Sequence, residues 1–203
     1  MSTARIDAAI ERSALVRAAL ETARQAHSGQ VRHTGKEEMP FIEHPLAVAE
    51  RLAGDGCPDE ALAAGLLHDV LEKSDMELDE LRERFGGTVA RLVDALTEKA
   101  AIEDYGERKD EHRRRIAGAG PAAQAIFAAD KLVNLESLRE AYGVRGEDVD
   151  GELQVPLDTK VRTWELDLTM LREEAGELPV VGDFSNQLAG LLADRAARRA
   201  PSN

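Results

Sequence analysis

Apolar residues at Ile6, Ile10, Leu15, Ala18, Ala19 and Ala23 lie at helical spacing. That spacing predicts one helix from about Ala4 to His27, ended by Ser28-Gly29. The polar stretch GQVRHTGKEEMPFIEHP follows, with two glycines and two prolines, and reads as a long loop of the kind that carries function. Pro45 opens the next helix, HPLAVAERLAG, with His44 just before it at the cap. PDEALAAGLLHDVLEK is apolar on nearly every side and predicts a buried helix with Asp59 in its first turn. SDMELDELRERFG and GGTVARLVDALTEK predict two further helices, and YGERKDEHRRRIAG an exposed, heavily charged one. A second core helix begins at Pro121 in PAAQAIFAADKLVNLESLREAYG. After the loop VRGEDVDGELQVP come two last helices, LDTKVRTWELDLTML and DFSNQLAGLLADRAARRA. No run of alternating β-branched residues predicts a strand, so the expectation is an all-α fold of about eight to ten helices.

Composition narrows the class. The 203 residues suit one domain, and aromatics are only 3% of them, so the core must be built from aliphatic side chains. A formal charge of −13 repels polyphosphate backbones at long range and argues against general nucleic-acid binding. It leaves room for a small nucleotide in a locally basic pocket. The single cysteine, Cys57, excludes an internal disulfide and a cysteine-cluster metal site. No apolar run approaches the roughly 20 residues of a membrane span. The first 20 residues carry scattered charges rather than a secretory pattern. The expectation is a cytoplasmic protein with no membrane association; oligomeric state is not legible.

Polar residues that interrupt apolar helices carry the chemistry, because burying them costs several kcal/mol unless they are paired or coordinated. His68 and Asp69 are adjacent in GLLHDVLEK, and Glu72 follows at four and three residues from them. Asp130 interrupts AIFAAD, with Asn134 one turn later on the same face, and His44 opens another helix. Two imidazoles and two carboxylates make a mixed nitrogen and oxygen set suited to Mn²⁺, Fe²⁺ or Zn²⁺. A buried polar network linking three helices is the bland alternative.

The order His44, then His68-Asp69, then Asp130 resembles the signature of the HD phosphohydrolase superfamily. ARQAHSGQVRHTGKEEMPFIEHPLAVAERL, AAGLLHDVLEKSDMELDELRERFGGTVARLVDALTE and AADKLVNLESLRE are similar, in order, to segments of the RelA/SpoT-type alarmone hydrolase domains. The likeness runs from about Ala23 to Arg139. It implies an HD-domain helical bundle: one domain over residues 1–203, with a motif-bearing core at about 20–140 and C-terminal helices at about 157–198. With no room for a synthetase or regulatory domain, the expectation is a small, stand-alone hydrolase. Carried over by position, the resemblance implies that His44, His68, Asp69 and Asp130 bind one divalent ion. Mn²⁺ is the first choice, with Zn²⁺, Fe²⁺ or Co²⁺ as alternatives. It implies that Glu72 acts on the attacking water, that Arg32 contacts the nucleotide and that Asn134 lies near the ribose. His33 and Lys131 are the further candidates for substrate contact.

Two of the positions that depart from the family pattern are Lys73 and His33, and a third is Val133, where a histidine is frequent. Lys73 follows Glu72 where a second carboxylate is usual, and His33 replaces a common lysine. Lys73, four residues after Asp69, either pairs with it or reaches a substrate phosphate and supplies charge neutralisation as a catalytic group. His112, inside a charged run, is expected at the surface, His27 in packing, and Trp164 in helix packing or against a base. The function expected is metal-dependent hydrolysis of a nucleoside 3′-pyrophosphate such as ppGpp, pppGpp or an adenine counterpart, releasing pyrophosphate. The alternatives are an HD phosphohydrolase acting on another nucleotide or phosphorylated metabolite, and an impaired module that binds a nucleotide or a partner without turnover.

Overall fold

The computed structural model describes residues 3–34 and 37–199. Two helices, α1 (Ala4–Arg12) and α2 (Ala14–Ala26), replace the single helix expected at the start. Helix formers run through the junction, so propensity alone hides the break. Ser13 makes it: its backbone is extended (φ −117°, ψ 118°), and its side chain caps α2 by accepting a bond from the Val16 N–H. The long polar stretch also departs from expectation, because it holds an antiparallel hairpin of β1 (Val31–Thr34) and β2 (Glu37–Pro40). Arg32 pairs in register with Met39 and His33 with Glu38. Four-residue strands leave too little alternation for the pattern to register in the sequence.

The centre is α4 (Asp59–Leu67), in which every residue from Ala61 to Leu67 is buried. It packs on α2 and on α3 (Glu43–Gly54). Gly65 permits a close approach: a Cβ there would stand 2.7 Å from Leu52 Cδ1 of α3. Gly65→Ala is therefore expected to lower stability by about 1–3 kcal/mol through overpacking, read as a fall in the urea midpoint at unchanged slope.

The apolar run does not continue as one helix. It halts at His68-Asp69 and resumes as the single turn α5 (Val70–Lys73). Two arms, as expected, form α6 (Leu78–Leu96), hinged at Gly86, whose φ of 83° and ψ of 164° suit glycine alone. Next come α7 (Tyr105–Gly118) and the long core helix α8 (Pro121–Arg145). A 3₁₀ segment at Gly146–Glu152 occupies part of the expected loop and leads to α9 (Leu157–Ala175) and α10 (Pro179–Arg199). Helix α8 lies against α3 on one side and α10 on the other. One continuous set of buried apolar side chains runs from Ile6 to Leu191. All described helices fit the all-α expectation, and none is long and apolar enough to cross a membrane.

Candidate metal and phosphate site

Three helix junctions converge on one cluster. His44 enters from the first turn of α3, His68 and Asp69 from the break between α4 and α5, and Asp130 from the middle of α8. His44 Nε2 stands 3.1 Å from Asp130 Oδ1 and 3.9 Å from Asp69 Oδ2. His68 Nε2 stands 3.5 Å from Asp69 Oδ2 and 3.8 Å from Asp130 Oδ1. Ligand atoms of His44, His68 and Asp130 all lie within 4.8 Å of one another. The sequence-predicted metal set is thus brought to one place, with Asp69 reaching it through both imidazoles.

The tautomer at His68 says what the cluster accommodates. His68 Nδ1 lies 2.7 Å from the Gly65 carbonyl, an acceptor only, so Nδ1 carries the proton. Nε2 is buried and without a hydrogen-bond partner, turned toward two carboxylates. An orphaned buried nitrogen beside two carboxylate oxygens is a place where a cation fits, and a backbone acceptor on the far nitrogen is the usual support of a metal-binding histidine. Burial lowers the pKa of His44, opposed by its bond to Asp130, and so favours the neutral imidazole that coordination requires. The donor set fits a divalent ion.

Around this cluster a cavity of about 330 Å³ opens. Asn134 Nδ2 donates to Asp130 Oδ1 (2.6 Å), and Arg32 Nη2 donates to Asn134 Oδ1 (2.7 Å), tying the hairpin to α8. Lys131 lines the cavity but is paired with Asp130 at 2.8 Å. Burial would lift Asp130, yet Lys131 and the two imidazoles hold its carboxyl well below the ordinary range. Glu72 lines the cavity and accepts the Glu98 N–H at 2.6 Å; burial raises its pKa. Lys73 makes no salt bridge with Asp69 or any other described carboxylate; the helical spacing suggested that pair, but the ammonium lies 5.4 Å from the Phe41 ring centre and lines the cavity. The His33 side chain lies outside the described part of the molecule. His27 is packed, as expected, with Nδ1 3.0 Å from Gln30 Oε1 and its ring against Phe41.

Other members of the cavity escaped sequence reasoning. His112 is not at the surface: it is 4% exposed, edge-on to Phe127, with Nδ1 3.7 Å from Glu98. Its one signal was the pair His112 and Ile116, four residues apart and both buried beneath a charged face. Glu98 also receives Arg108 (3.1 Å) and Lys109. Burial alone would raise Glu98, but His112 and Lys109 hold its carboxyl well below the ordinary range. From α9 comes Lys160, brought in only by tertiary packing, together with Trp164, which is expected in helix packing or against a base and is buried against the cavity.

The comparisons agree with this geometry. Residues 19–154 match the family model described as an HD domain. A guanosine-3′,5′-bis(diphosphate) 3′-pyrophosphohydrolase of Aquifex aeolicus is 33% identical over 156 residues, which cover 74% of this chain and 22% of that protein. The human guanosine-3′,5′-bis(diphosphate) 3′-pyrophosphohydrolase MESH1 is 38% identical over 111 residues, 54% of this chain and 62% of that one. The chain thus spans less than two thirds of either relative. Among solved structures, a metazoan SpoT orthologue described as hydrolysing ppGpp superposes with a TM-score of 0.70 at 27% identity, covering 90% of this chain and 96% of the other.

Proposed function

The chain belongs to the HD-domain family, and we propose that it hydrolyses nucleoside 3′-pyrophosphates, either ppGpp and pppGpp or their adenine counterparts, in a metal-dependent reaction that releases pyrophosphate. The observation that carries the metal is the buried, unpartnered Nε2 of His68 among carboxylates. What its relatives are named for supports the substrate class. His44, His68, Asp69 and Asp130 would hold the ion, Mn²⁺ in the first instance, and residues 1–203 form a single hydrolase domain working in the cytoplasm.

When bound, a divalent ion at this place supplies Lewis acidity toward the phosphoryl group and lowers the pKa of water. The protein does the rest. Glu72, raised in pKa by burial, orients the attacking water and takes its proton. Water adds to the phosphorus attached to the ribose 3′-oxygen, the bond between them breaks, and the 3′-oxygen leaves with a proton. Lys73, without a salt bridge to any described carboxylate, neutralises charge growing on the phosphates where the family more often places a second acid. Arg32 and Asn134, bonded to each other, form the wall against which the nucleoside lies; Lys131 acts mainly through Asp130.

The expected result with metal-stripped protein is no pyrophosphate from ppGpp or pppApp, and release on addition of Mn²⁺. Stoichiometric Mn²⁺ binding with neither compound cleaved would sink this reading. The replacement of an acid by Lys73 would then favour a different phosphorylated metabolite, found by a phosphate-ester panel.

A further inference from the structure

The carboxylate assigned as base, Glu72, accepts the Glu98 N–H at 2.6 Å. Glu98 sits in residues 97–104, which form neither helix nor strand between α6 and α7. Irregular backbone does not aim its own N–H groups, so the direction of this one is set from outside. Helix α7 supplies the holds. Arg108 donates to the Ile102 and Glu103 carbonyls at 2.8 and 3.1 Å and to the Glu98 carboxylate at 3.1 Å. Two turns further on, Arg115 donates to the Asp94 carbonyl at 2.6 Å and to the Thr97 carbonyl at 2.7 Å.

The bond to Thr97 reaches furthest. The Thr97 carbonyl and the Glu98 N–H belong to one peptide unit, planar and trans, so they point from opposite edges of a rigid plate. Arg115 grips one edge and Glu72 meets the other. That plate cannot swing its N–H away from Glu72 without carrying its oxygen off the guanidinium. The hold also suits its place in the fold. Helix α6 has no basic residue in its last turn, and a guanidinium across its terminal carbonyls answers the negative end of the dipole. Arg115 is not among the described residues that line the cavity. It also pairs with Glu111 at 3.2 Å, which keeps a second partner in Lys99 at 2.5 Å, so losing the guanidinium strands no carboxylate.

We propose that Arg115 is a positioning residue for Glu72: by holding the Thr97 carbonyl it fixes the peptide plane whose other edge, the Glu98 N–H, keeps the base aimed at its water. The assignment rests on the hydrolase reading above for what Glu72 does. Arg115 touches neither substrate nor ion, and its whole effect on the reaction passes through one peptide and one carboxylate. The charged face of α7 is therefore more than a solvated surface: two of its arginines hold the segment that carries Glu98.

The test measures Arg115→Met alone and combined with Glu72→Gln, as pyrophosphate release from ppGpp or pppApp at saturating Mn²⁺. Alone it should lower kcat by about 10- to 100-fold, the scale of a reacting group displaced from a distance, with KM within about twofold of wild type. On top of Glu72→Gln it should cost less than about threefold, because residues acting through one group are not additive. Arg115→Lys, which can still reach one carbonyl, should recover part of the rate. An equal loss with and without Glu72, which a merely structural role would give, overturns the proposal, as does an unchanged kcat. Amide hydrogen exchange at Glu98 needs no turnover. Its N–H should be protected in the wild-type protein and exposed in Arg115→Met, while the core amides of α8 keep their protection. Unchanged protection at Glu98 overturns the proposal. Should Arg115→Met fail to fold, Arg115→Lys carries the same comparisons with smaller effects. If the wild-type protein cleaves neither compound, the hydrolase reading has failed, and the exchange at Glu98 alone decides whether Arg115 holds the contact to Glu72.

Discussion

Asp130→Ala is expected to abolish Mn²⁺-dependent turnover and to weaken the fold in the same step. Its carboxylate is touched by His44 Nε2 at 3.1 Å, Lys131 Nζ at 2.8 Å and Asn134 Nδ2 at 2.6 Å. Removing it takes an oxygen donor from the metal cluster, and even outer-shell changes at such sites cost about 10–100-fold in metal affinity. It also strands Lys131, whose side chain is 14% exposed and whose pKa Asp130 raises against burial. Breaking a buried pair by removing one partner costs about 3–5 kcal/mol. His68→Ala separates the two effects: it removes a ligand nitrogen and one bond to the Gly65 carbonyl, but leaves no charge unpaired. Turnover should vanish in both variants, while the urea midpoint should fall much further for Asp130→Ala. Mn²⁺-dependent activity within tenfold of wild type in either variant would remove the cluster from the reaction.

Glu72→Gln should show the opposite balance, a large loss of rate with almost none of stability. The amide oxygen can still accept the Glu98 N–H that the carboxylate accepts at 2.6 Å, so the local backbone has no reason to move. What disappears is the base, and general-base catalysis is worth about 10²–10⁴-fold. The pH dependence follows in sign. Burial raises Glu72, the charges of Asp69 and Glu98 add to that, and the Glu98 N–H opposes it. A base must be ionised, so a raised pKa makes the rate fall on acidification at a higher pH than for an exposed glutamate. The acidic limb of the kcat profile should flatten in Glu72→Gln. A residual rate within threefold of wild type would show that Glu72 is a spectator.

The helices and the four candidate ligands were legible because each sits where local pattern and chemistry conflict: a histidine or aspartate inside an apolar run, or next to a helix-starting proline. That conflict is visible in one dimension. The break at Ser13 was not, since the residues on both sides favour helix and only the cap distinguishes them. His112 was hidden by arithmetic of another kind: eight charged residues from Glu107 to Arg115 outweigh one buried face in any window average. Of the two roles left open for Lys73, the pairing with Asp69 does not form. Helical spacing allowed Asp69 as a partner, and the turn between them is intact (Lys73 N–H to the Asp69 carbonyl, 3.0 Å), but the Asp69 carboxylate faces the two imidazoles and the ammonium goes to Phe41. Glu98 and Lys160 carry no local signal at all. A glutamate after a helix end and a lysine in an amphipathic helix are ordinary, and they gain meaning only when α7, α8 and α9 close around the same cavity.

The bond from Arg32 to Asn134 joins positions 102 residues apart in the chain, and Asn134 in turn holds Asp130. During synthesis, then, the hairpin, α3 and the His68-Asp69 break are all made well before the aspartate that completes the cluster. A nascent chain halted short of α8 carries three of the four candidate ligands and lacks the bond that anchors its arginine. Competence to hold an ion should therefore appear abruptly, once α8 has left the ribosome and docked on α3, rather than growing with chain length. A half-made enzyme of this architecture would not consume its substrate.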